Sequence, residues 1–187
     1  MPAVEPGRCG GHWDDCPRLA EGDRFDFACA GCGDCCRQRR DLVLSGYDLY
    51  RIARRLSLPP RIVAAAFCKS YLAPESCLPA LRLTPDPKTG NWRFFGGSPC
   101  TIHAPRPLAC APYPLGQSID TVTAQTEYYV QTPLSGARAG EARTLQDYLQ
   151  DSAVLDRAGV DARWAIVCTQ LSHRLQAAGG TDNPRFS

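Results

Sequence analysis

Lysine is scarce in this chain of 187 residues, where Lys69 and Lys88 are the only lysines among 21 basic residues. The formal net charge is just +2. So small a charge gives no argument for binding nucleic acid or an anionic membrane surface. Gene composition alone can explain the bias to arginine. The functional alternative is that permanently charged guanidinium groups offset the negative charge of a thiolate site.

Long apolar runs are also missing, since no stretch approaches the roughly 18 consecutive apolar residues of a membrane span. The start, "MPAVEPGRCGGHWDDCPR", lacks the apolar core of a secretory signal. We therefore expect a cytoplasmic protein that does not enter the membrane. The chain also lacks G-x-G-x-x-G, P-loop and G-x-S-x-G motifs, so no enzyme signature decides whether it is catalytic.

Cysteine, in contrast, is abundant, with 11 residues. Their number is odd and no export signal accompanies them, which argues against a framework of disulfides. In a reducing compartment, clustered cysteines more often bind metal or carry out redox chemistry. The cysteines therefore indicate a thiol-based site.

The composition predicts one small, irregular α+β domain with short strands, several helices and a cysteine cluster carried on loops. Hydrophobic residues make up 44% of the chain, enough for a core, while 16 glycines and 16 prolines predict much irregular structure. We expect a flexible leader over 1–24, a cysteine-cluster metal-binding domain over 25–178 and a flexible tail over 179–187.

Periodicity predicts the elements inside that domain. Ser45 should cap a helix "GYDLYRIARRL" that follows a short strand in 41–45. The candidate buried positions of that helix are Tyr47, Leu49, Tyr50, Ile52, Ala53 and Leu56. Further expected elements are a helix over 61–72, two strands joined by a turn in 81–97, a strand in 121–132, helical periodicity over 142–159 and a last helix from a cap at Asp161 to Gly179.

The stretch "FACAGCGDCC" carries the strongest signal. Cys29, Cys32 and Cys35 are each three residues apart, and Cys36 follows directly. This spacing lets one loop direct successive sulfurs at a single ion or cluster, as ferredoxin loops and zinc knuckles do. The motif therefore predicts a metal site.

A second half of the site is expected in "PCTIHAPRPLACAPYP". Its two cysteines form a C-x9-C pair in a segment stiffened by prolines, which lowers the entropy cost of ordering the sulfurs. Together the segments supply six candidate metal ligands: Cys29, Cys32, Cys35, Cys36, Cys100 and Cys110.

The adjacent pair Cys35 and Cys36 leaves two alternatives open. Neighbouring side chains diverge in an extended chain, so two metal ions, or two irons of one cluster, could share the pair. In the other alternative only one of them ligates and the second packs as a small apolar residue. The negative charge of such a centre would be offset by one or more nearby arginines: Arg37, Arg39, Arg40 and Arg106.

These motifs resemble the bacterial CxxCxxCC cysteine-cluster family, known as YkgJ-like, which is described as zinc- or iron-chelating and includes the cluster domain of flagellin lysine N-methylase. The similarity begins at "FACAGCGDCC", continues through "DLVLSGYDLYRIARRLSL" and ends at "CTIHAPRPLACAPYP". It spans about residues 25–116, and its two separated motifs occur in the order typical of the family.

The resemblance implies that the same six cysteines bind the metal and that Arg106 and Pro107 fill the family's Arg-Pro position beside the cofactor. It favours an iron–sulfur cluster over zinc, because the methylase branch has a precedent for such a cluster. Two residues depart from the pattern: Trp92 stands where many relatives have a further cysteine, and His103 stands at a usual tyrosine. The family's later C-P-G is also absent.

Several further residues have a structural and a functional interpretation. His103 either ligates zinc or replaces a tyrosine that packs beside the site. A second half-site could be formed by Cys9, His12 and Cys16. Cys77 could replace a missing ligand or be a bystander, and Cys68 and Cys168 fit a helical core.

The sequence thus predicts a protein with a cysteine-rich iron–sulfur or zinc centre that has a structural or electron-transfer role. The alternatives are an enzyme or accessory factor for protein modification, as in the methylase branch, and a thiol redox or metal-trafficking module. Metal ions are the expected partners, with an unidentified protein partner left open. The arginine-rich patches lack interleaved aromatic residues in sequence, so nucleic-acid binding is not expected.

Overall fold

The computed structural model describes residues 16–27, 33, 37, 42–96, 100–131 and 142–179. These residues form an α+β domain, as the sequence predicts, with short antiparallel strands and four helices. The elements are β1 (Arg18–Leu19), β2 (Arg24–Phe25), β3 (Val43–Leu44), α1 (Gly46–Leu56), α2 (Pro60–Phe67), β4 (Cys68–Ala73), β5 (Leu78–Leu83), β6 (Leu115–Ile119), β7 (Thr126–Val130), β8 (Arg143–Thr144), α3 (Leu145–Asp151) and α4 (Ala158–Ala177).

The strands form three small sheets, with orders β1-β7-β6, β2-β8 and β3-β5-β4. The β4–β5 hairpin is in register from the pair Cys68–Leu83 to the pair Ala73–Leu78. The β6–β7 hairpin is in register from Leu115–Val130 to Ile119–Thr126. All pairings are antiparallel, so short turns can connect neighbouring strands.

Two clusters of buried side chains hold these sheets and helices together. The first core consists of Leu19, Phe25, Phe27, Ala111, Leu115, Tyr128, Val130, Leu145, Tyr148, Leu149 and Val154. The second core consists of Leu42, Leu44, Ile52, Ala53, Val63, Leu83, Trp92, Phe94 and Ile102. Their separation matters because two stretches of chain pass from one core to the other.

The first helix begins and ends where the sequence predicts. The Ser45 hydroxyl accepts a hydrogen bond from the Asp48 amide at 3.0 Å, and the Asp48 carboxylate accepts one from the Ser45 amide at 2.9 Å. This capping box satisfies two amides that a helix start would otherwise leave unpaired. Ile52 and Ala53 are buried as expected, whereas the prediction for Tyr50 is wrong, because its side chain is 46% exposed.

The predicted helix over 61–72 is only half correct. Residues 60–67 form α2, but the chain becomes extended at Cys68 (φ −122°, ψ 160°) and continues as β4. Pairing with β5 along six positions outweighs the helical preference of this short segment. The first predicted strand of 81–97 is thus part of β5, which starts at Leu78, while the second reduces to one bridge between Pro85 and Trp92.

Two further boundaries differ from the sequence prediction. The predicted flexible leader, 1–24, contributes β1 and β2 to the fold, where they pair with β7 and β8. The last helix starts at Ala158, one turn before Asp161, which lies buried inside it instead of capping it. Its end at Ala177, just before Gly179 (φ +101°), agrees with the prediction. The predicted tail lies outside the described residues apart from Gly179.

The sequence predicts no membrane-spanning segment. Among the helices within the described residues, none combines sufficient length with sufficient apolar character to span a membrane.

Candidate metal centre

The six predicted ligands divide between two segments of the chain, and the structure describes one of them. Cys100 and Cys110 are described, as is Arg106, whereas Cys29, Cys32, Cys35 and Cys36 lie outside the described residues. Within the described ranges, no group of three or more His, Cys, Asp or Glu side chains is placed to hold a metal ion. The described part of the candidate site therefore consists of Cys100, Cys110 and the residues that flank the first motif.

The distal segment places its two cysteines against the same core. Cys100 and Cys110 are both half-buried and both pack against the second core. The Cys100 carbonyl accepts a hydrogen bond from the His103 amide at 3.0 Å, and the Cys110 amide donates to the Pro107 carbonyl at 2.9 Å. One tight turn thus begins at Cys100 and another ends at Cys110. Both ends of the C-x9-C segment therefore lie against the second core.

The same segment also connects the two cores. Ile102 belongs to the second core, while Ala111 and Leu115 belong to the first. Pro107 and Pro114, on the same segment, are fully buried. The distal cysteines therefore lie at the junction of the two cores.

The described residues on either side of the first motif belong to different cores. Phe27, two residues before Cys29, lies in the first core, and its ring meets the ring of Tyr113 edge-on at 5.9 Å. Leu42, six residues after Cys36, lies in the second core. The first cysteine motif thus begins at one core and ends at the other.

Two residues close to the motif cysteines fix where the first motif meets the second core. Gly33, between Cys32 and Cys35, has φ +76°, and a Cβ at this position would overlap the Phe95 ring. The guanidinium carbon of Arg37 lies 5.5 Å from the centroid of that same ring. Phe95 packs against the second core together with Cys100 and Cys110. Glycine is required here both for its positive φ and for the absence of a side chain.

The two segments therefore meet twice. One contact joins Phe27 to Tyr113, which follows Cys110 by three residues, and the other joins Gly33 and Arg37 to Phe95, which precedes Cys100 by five. The flanks of both cysteine motifs lie together at the junction of the cores. This juxtaposition is the main geometric result for the site.

Two arginines place positive charge on and beside the distal segment. The stretch 100–118 contains no carboxylate, and Arg106 is its one permanently charged residue. Arg51, on α1, donates a hydrogen bond to the Ala104 carbonyl at 3.1 Å and brings a second guanidinium to the segment. Nearby positive charge favours the thiolate over the thiol, and the thiolate is the form that binds metal.

Arg106 and His103 form a pair on this segment. Arg106 Nη2 donates to the Ser152 carbonyl at 3.2 Å, and its Nη1 lies 2.8 Å from His103 Nε2. Because a guanidinium can only donate, Nε2 accepts and the imidazole proton lies on Nδ1. Burial and the charge of Arg106 also hold the pKa of His103 below its ordinary value. In this structure the Arg106 guanidinium therefore engages the Nε2 lone pair of His103.

A buried ionic group behind the segment was not predicted from sequence. Arg157 is 1% exposed, and its Nη2 lies 2.5 Å from Asp48 Oδ1, while its Nε lies 2.5 Å from Asp161 Oδ2. Burial opposes the charge of Arg157, but hydrogen bonds and charge from the two carboxylates outweigh burial and raise its pKa. The i,i+4 spacing of Arg157 and Asp161 was the available sequence signal, yet it is equally typical of exposed helix pairs.

This ion triad also contacts the backbone of the distal segment. Arg157 Nη1 donates to the Arg106 carbonyl at 3.3 Å, and the Leu108 amide donates to Asp48 Oδ1 at 3.0 Å. The two peptide groups that it contacts flank Pro107, which lies three residues before Cys110. The triad is thereby linked to the cysteine segment by two hydrogen bonds.

The remaining described cysteines differ from this pair. Cys16 is disulfide-bonded, so its thiol does not serve a half-site with Cys9 and His12, which lie outside the described residues. Burial raises the pKa of Cys68, in β4, and of Cys168, in α4, which disfavours the metal-binding thiolate form. Cys77 is buried at a positive φ in the β4–β5 turn, where its thiol donates to the Pro74 carbonyl.

Trp92, at the position of the family's additional cysteine, is 5% exposed and forms part of the second core. Its bulk contributes apolar packing next to the distal cysteines instead of a sulfur ligand. The described structure therefore offers no seventh thiol at this position.

Comparisons with known proteins leave the site to be judged from its own geometry. No protein-family model, no curated protein and no solved structure matches this chain. The resemblance to the YkgJ-like family accordingly stays a prediction that depends on the two cysteine motifs and their order.

Proposed function

We propose that this chain binds a metal centre through thiolates from two segments, 29–36 and 100–110. The observation that carries the proposal is the pair of contacts between their flanks, Phe27 with Tyr113 and Gly33 with Phe95. Contacts between the flanks of two distant cysteine motifs support this proposal, because a shared thiolate centre requires both motifs to come together.

The described residues fit a soft metal. Cys100 and Cys110 offer sulfur ligands from one turn-rich segment, the stretch 100–118 has no competing carboxylate, and Arg51 and Arg106 supply positive charge. Thiolates select zinc and iron–sulfur clusters over hard cations such as magnesium and calcium. Of the two, we propose an iron–sulfur cluster on the strength of the methylase-branch resemblance. Its role is structural or electron transfer.

Elemental analysis of protein prepared without oxygen tests the proposal. Iron with acid-labile sulfide and a brown colour identifies an iron–sulfur cluster, while zinc without sulfide and without colour identifies a zinc centre. Cys100→Ser and Cys110→Ser should each lower the bound metal.

Cys168→Ser is the matched control, because Cys168 lies in α4 and should leave the metal content unchanged. A folded wild-type protein that contains no metal, or a metal content that Cys168→Ser reduces as much as Cys110→Ser does, contradicts the proposal.

A further inference from the structure

The ion triad of Asp48, Arg157 and Asp161 has a geometry that simple stabilisation does not explain. Removing three charges from water is costly, and a buried ion triad is often no more stabilising than apolar residues of similar volume. Its distinctive property is that the hydrogen bonds of its carboxylates and guanidinium hold the neighbouring groups in defined positions. The groups that the triad holds in place therefore indicate its role.

Its three members come from two parts of the fold. Asp48 belongs to the first turn of α1, which packs with the second core, while Asp161 is in the first turn of α4 and Arg157 immediately precedes that helix. Arg157 lies three residues after Val154 of the first core, and only 1% of its surface is exposed. The triad thus joins the two cores, as the distal cysteine segment also does.

The groups held by the triad are the backbone carbonyl of Arg106 and the backbone amide of Leu108. Each of these two hydrogen bonds has one charged partner, the Arg157 guanidinium as donor or the Asp48 carboxylate as acceptor, which makes it stronger than a neutral one. Tyr47 covers the outer side, since the Arg157 guanidinium carbon lies 5.5 Å from its ring centroid. The backbone on either side of Pro107, in the second half of the C-x9-C segment, is therefore attached to the most deeply buried charge among the described residues.

We propose that Arg157 is a positioning residue, which holds the Cys100–Cys110 half-site in its ligating arrangement before the metal binds. The inference rests on the proposed function but goes beyond it, because it assigns the control of metal retention to a residue that touches no metal ligand side chain. Residues that orient ligands from behind typically change metal affinity by about 10–100-fold when they are replaced.

Release of bound metal to excess EDTA, followed for anaerobically purified protein, tests the inference. Arg157→Met should release its metal about 10–100-fold faster than the wild type. Asp161→Asn keeps the shape of the side chain and leaves Asp48 paired with Arg157, so it should accelerate metal release less. If Arg157→Met does not fold, Asp161→Asn serves as the test variant. Both variants should keep the wild-type ligand set, so the ratio of metal to protein at purification should be close to normal.

Leu19→Ala is the control for lost stability, because Leu19 is a first-core residue in β1. It should destabilise the domain without accelerating release under native conditions. Wild-type release rates in Arg157→Met and Asp161→Asn overturn the inference while leaving the proposed function intact. Equal acceleration in Leu19→Ala also overturns it, whereas a metal-free wild type refutes the proposed function itself.

Discussion

The two cores are built from very different parts of the chain. The second core draws on one nearly continuous stretch, 42–102, whereas the first combines three separate stretches, 16–27, 111–130 and 145–154. A continuous stretch forms its contacts locally, while separate stretches must first close long loops. The comparison shows that the second core is defined by local sequence and the first by long-range pairing.

The regions that contain these cores also differ in charge. The stretch 42–102 has eight lysines and arginines and three carboxylates. The stretches 16–27, 111–131 and 142–156 together have three arginines and eight carboxylates. Cys100 and Cys110 therefore pack against the core of the basic region, from which Arg51 reaches the distal segment.

The largest expected effect comes from breaking the ion triad between the two regions. Arg157→Met leaves Asp48 and Asp161 buried without their cation, and breaking a buried pair in this way costs about 3–5 kcal/mol. We expect a loss of that size in the free energy of unfolding of the metal-free protein, measured by urea denaturation monitored by circular dichroism.

Arg143→Met is the matched comparison, because it breaks the Arg143–Asp151 pair, whose side chains are 42% and 65% exposed. An exposed pair contributes about 0–1 kcal/mol. Similar losses in the two variants would mean that the buried triad does not join the regions as described.

Gly33→Ala should separate the first cysteine motif from the second core. The new methyl group would overlap the Phe95 ring, and the backbone has φ +76°, so we expect a loss above about 1 kcal/mol together with a lower metal content. Gly90→Ala is the control, since Gly90 has φ +71° with open space around it. If both variants lose the same stability and keep the same metal content, the contact with Phe95 does not anchor the motif.

Removing one helix cap in each region compares the regions directly. The Ser45 hydroxyl caps α1 by accepting a hydrogen bond from the Asp48 amide at 3.0 Å. The Thr144 hydroxyl caps α3 by accepting one from the Asp147 amide at 3.1 Å. Either change to alanine should cost about 1 kcal/mol in urea denaturation. Ser45→Ala should cost more, because Asp48 also belongs to the triad. The reverse order would show that the α1 cap is independent of the triad.

Alkaline pH should also destabilise the first core, through Tyr128. Burial, and then the charge of Asp161, raise the pKa of Tyr128 to about 12. In the unfolded chain tyrosine ionises near a pKa of about 10, so between these values the unfolded state has released a proton that the folded state keeps. Stability should therefore fall as the pH rises from about 10 to about 12. Tyr128→Phe should flatten this decline, and an unchanged slope would exclude Tyr128 as its cause.

Sequence reasoning succeeded where signals were local. The cap at Ser45, the end of α1 and the end of α4 each follow from a few neighbouring residues. It failed where tertiary pairing decides. The two-residue strands β1 and β2 are too short for periodicity to reveal, and β4 replaced a predicted helix because β5 pairs with it.

The candidate site shows the same division. The spacing of the cysteines could nominate Cys100 and Cys110, and the structure places both against one core. Nothing in the sequence brings Asp48 to Arg157, since 109 positions separate them and both residue types are usually exposed. The contacts of Phe95 with Gly33 and Arg37 are equally non-local.

Thiol labelling followed by mass spectrometry is the most direct test that both cysteine segments share one metal centre. In anaerobically prepared protein, thiols of 29–36 and of 100–110 should resist alkylation and become reactive together when the metal is chelated. Their common release from protection is the predicted result. Protection confined to one segment, or cysteines of both segments that react equally before and after chelation, would contradict a shared centre.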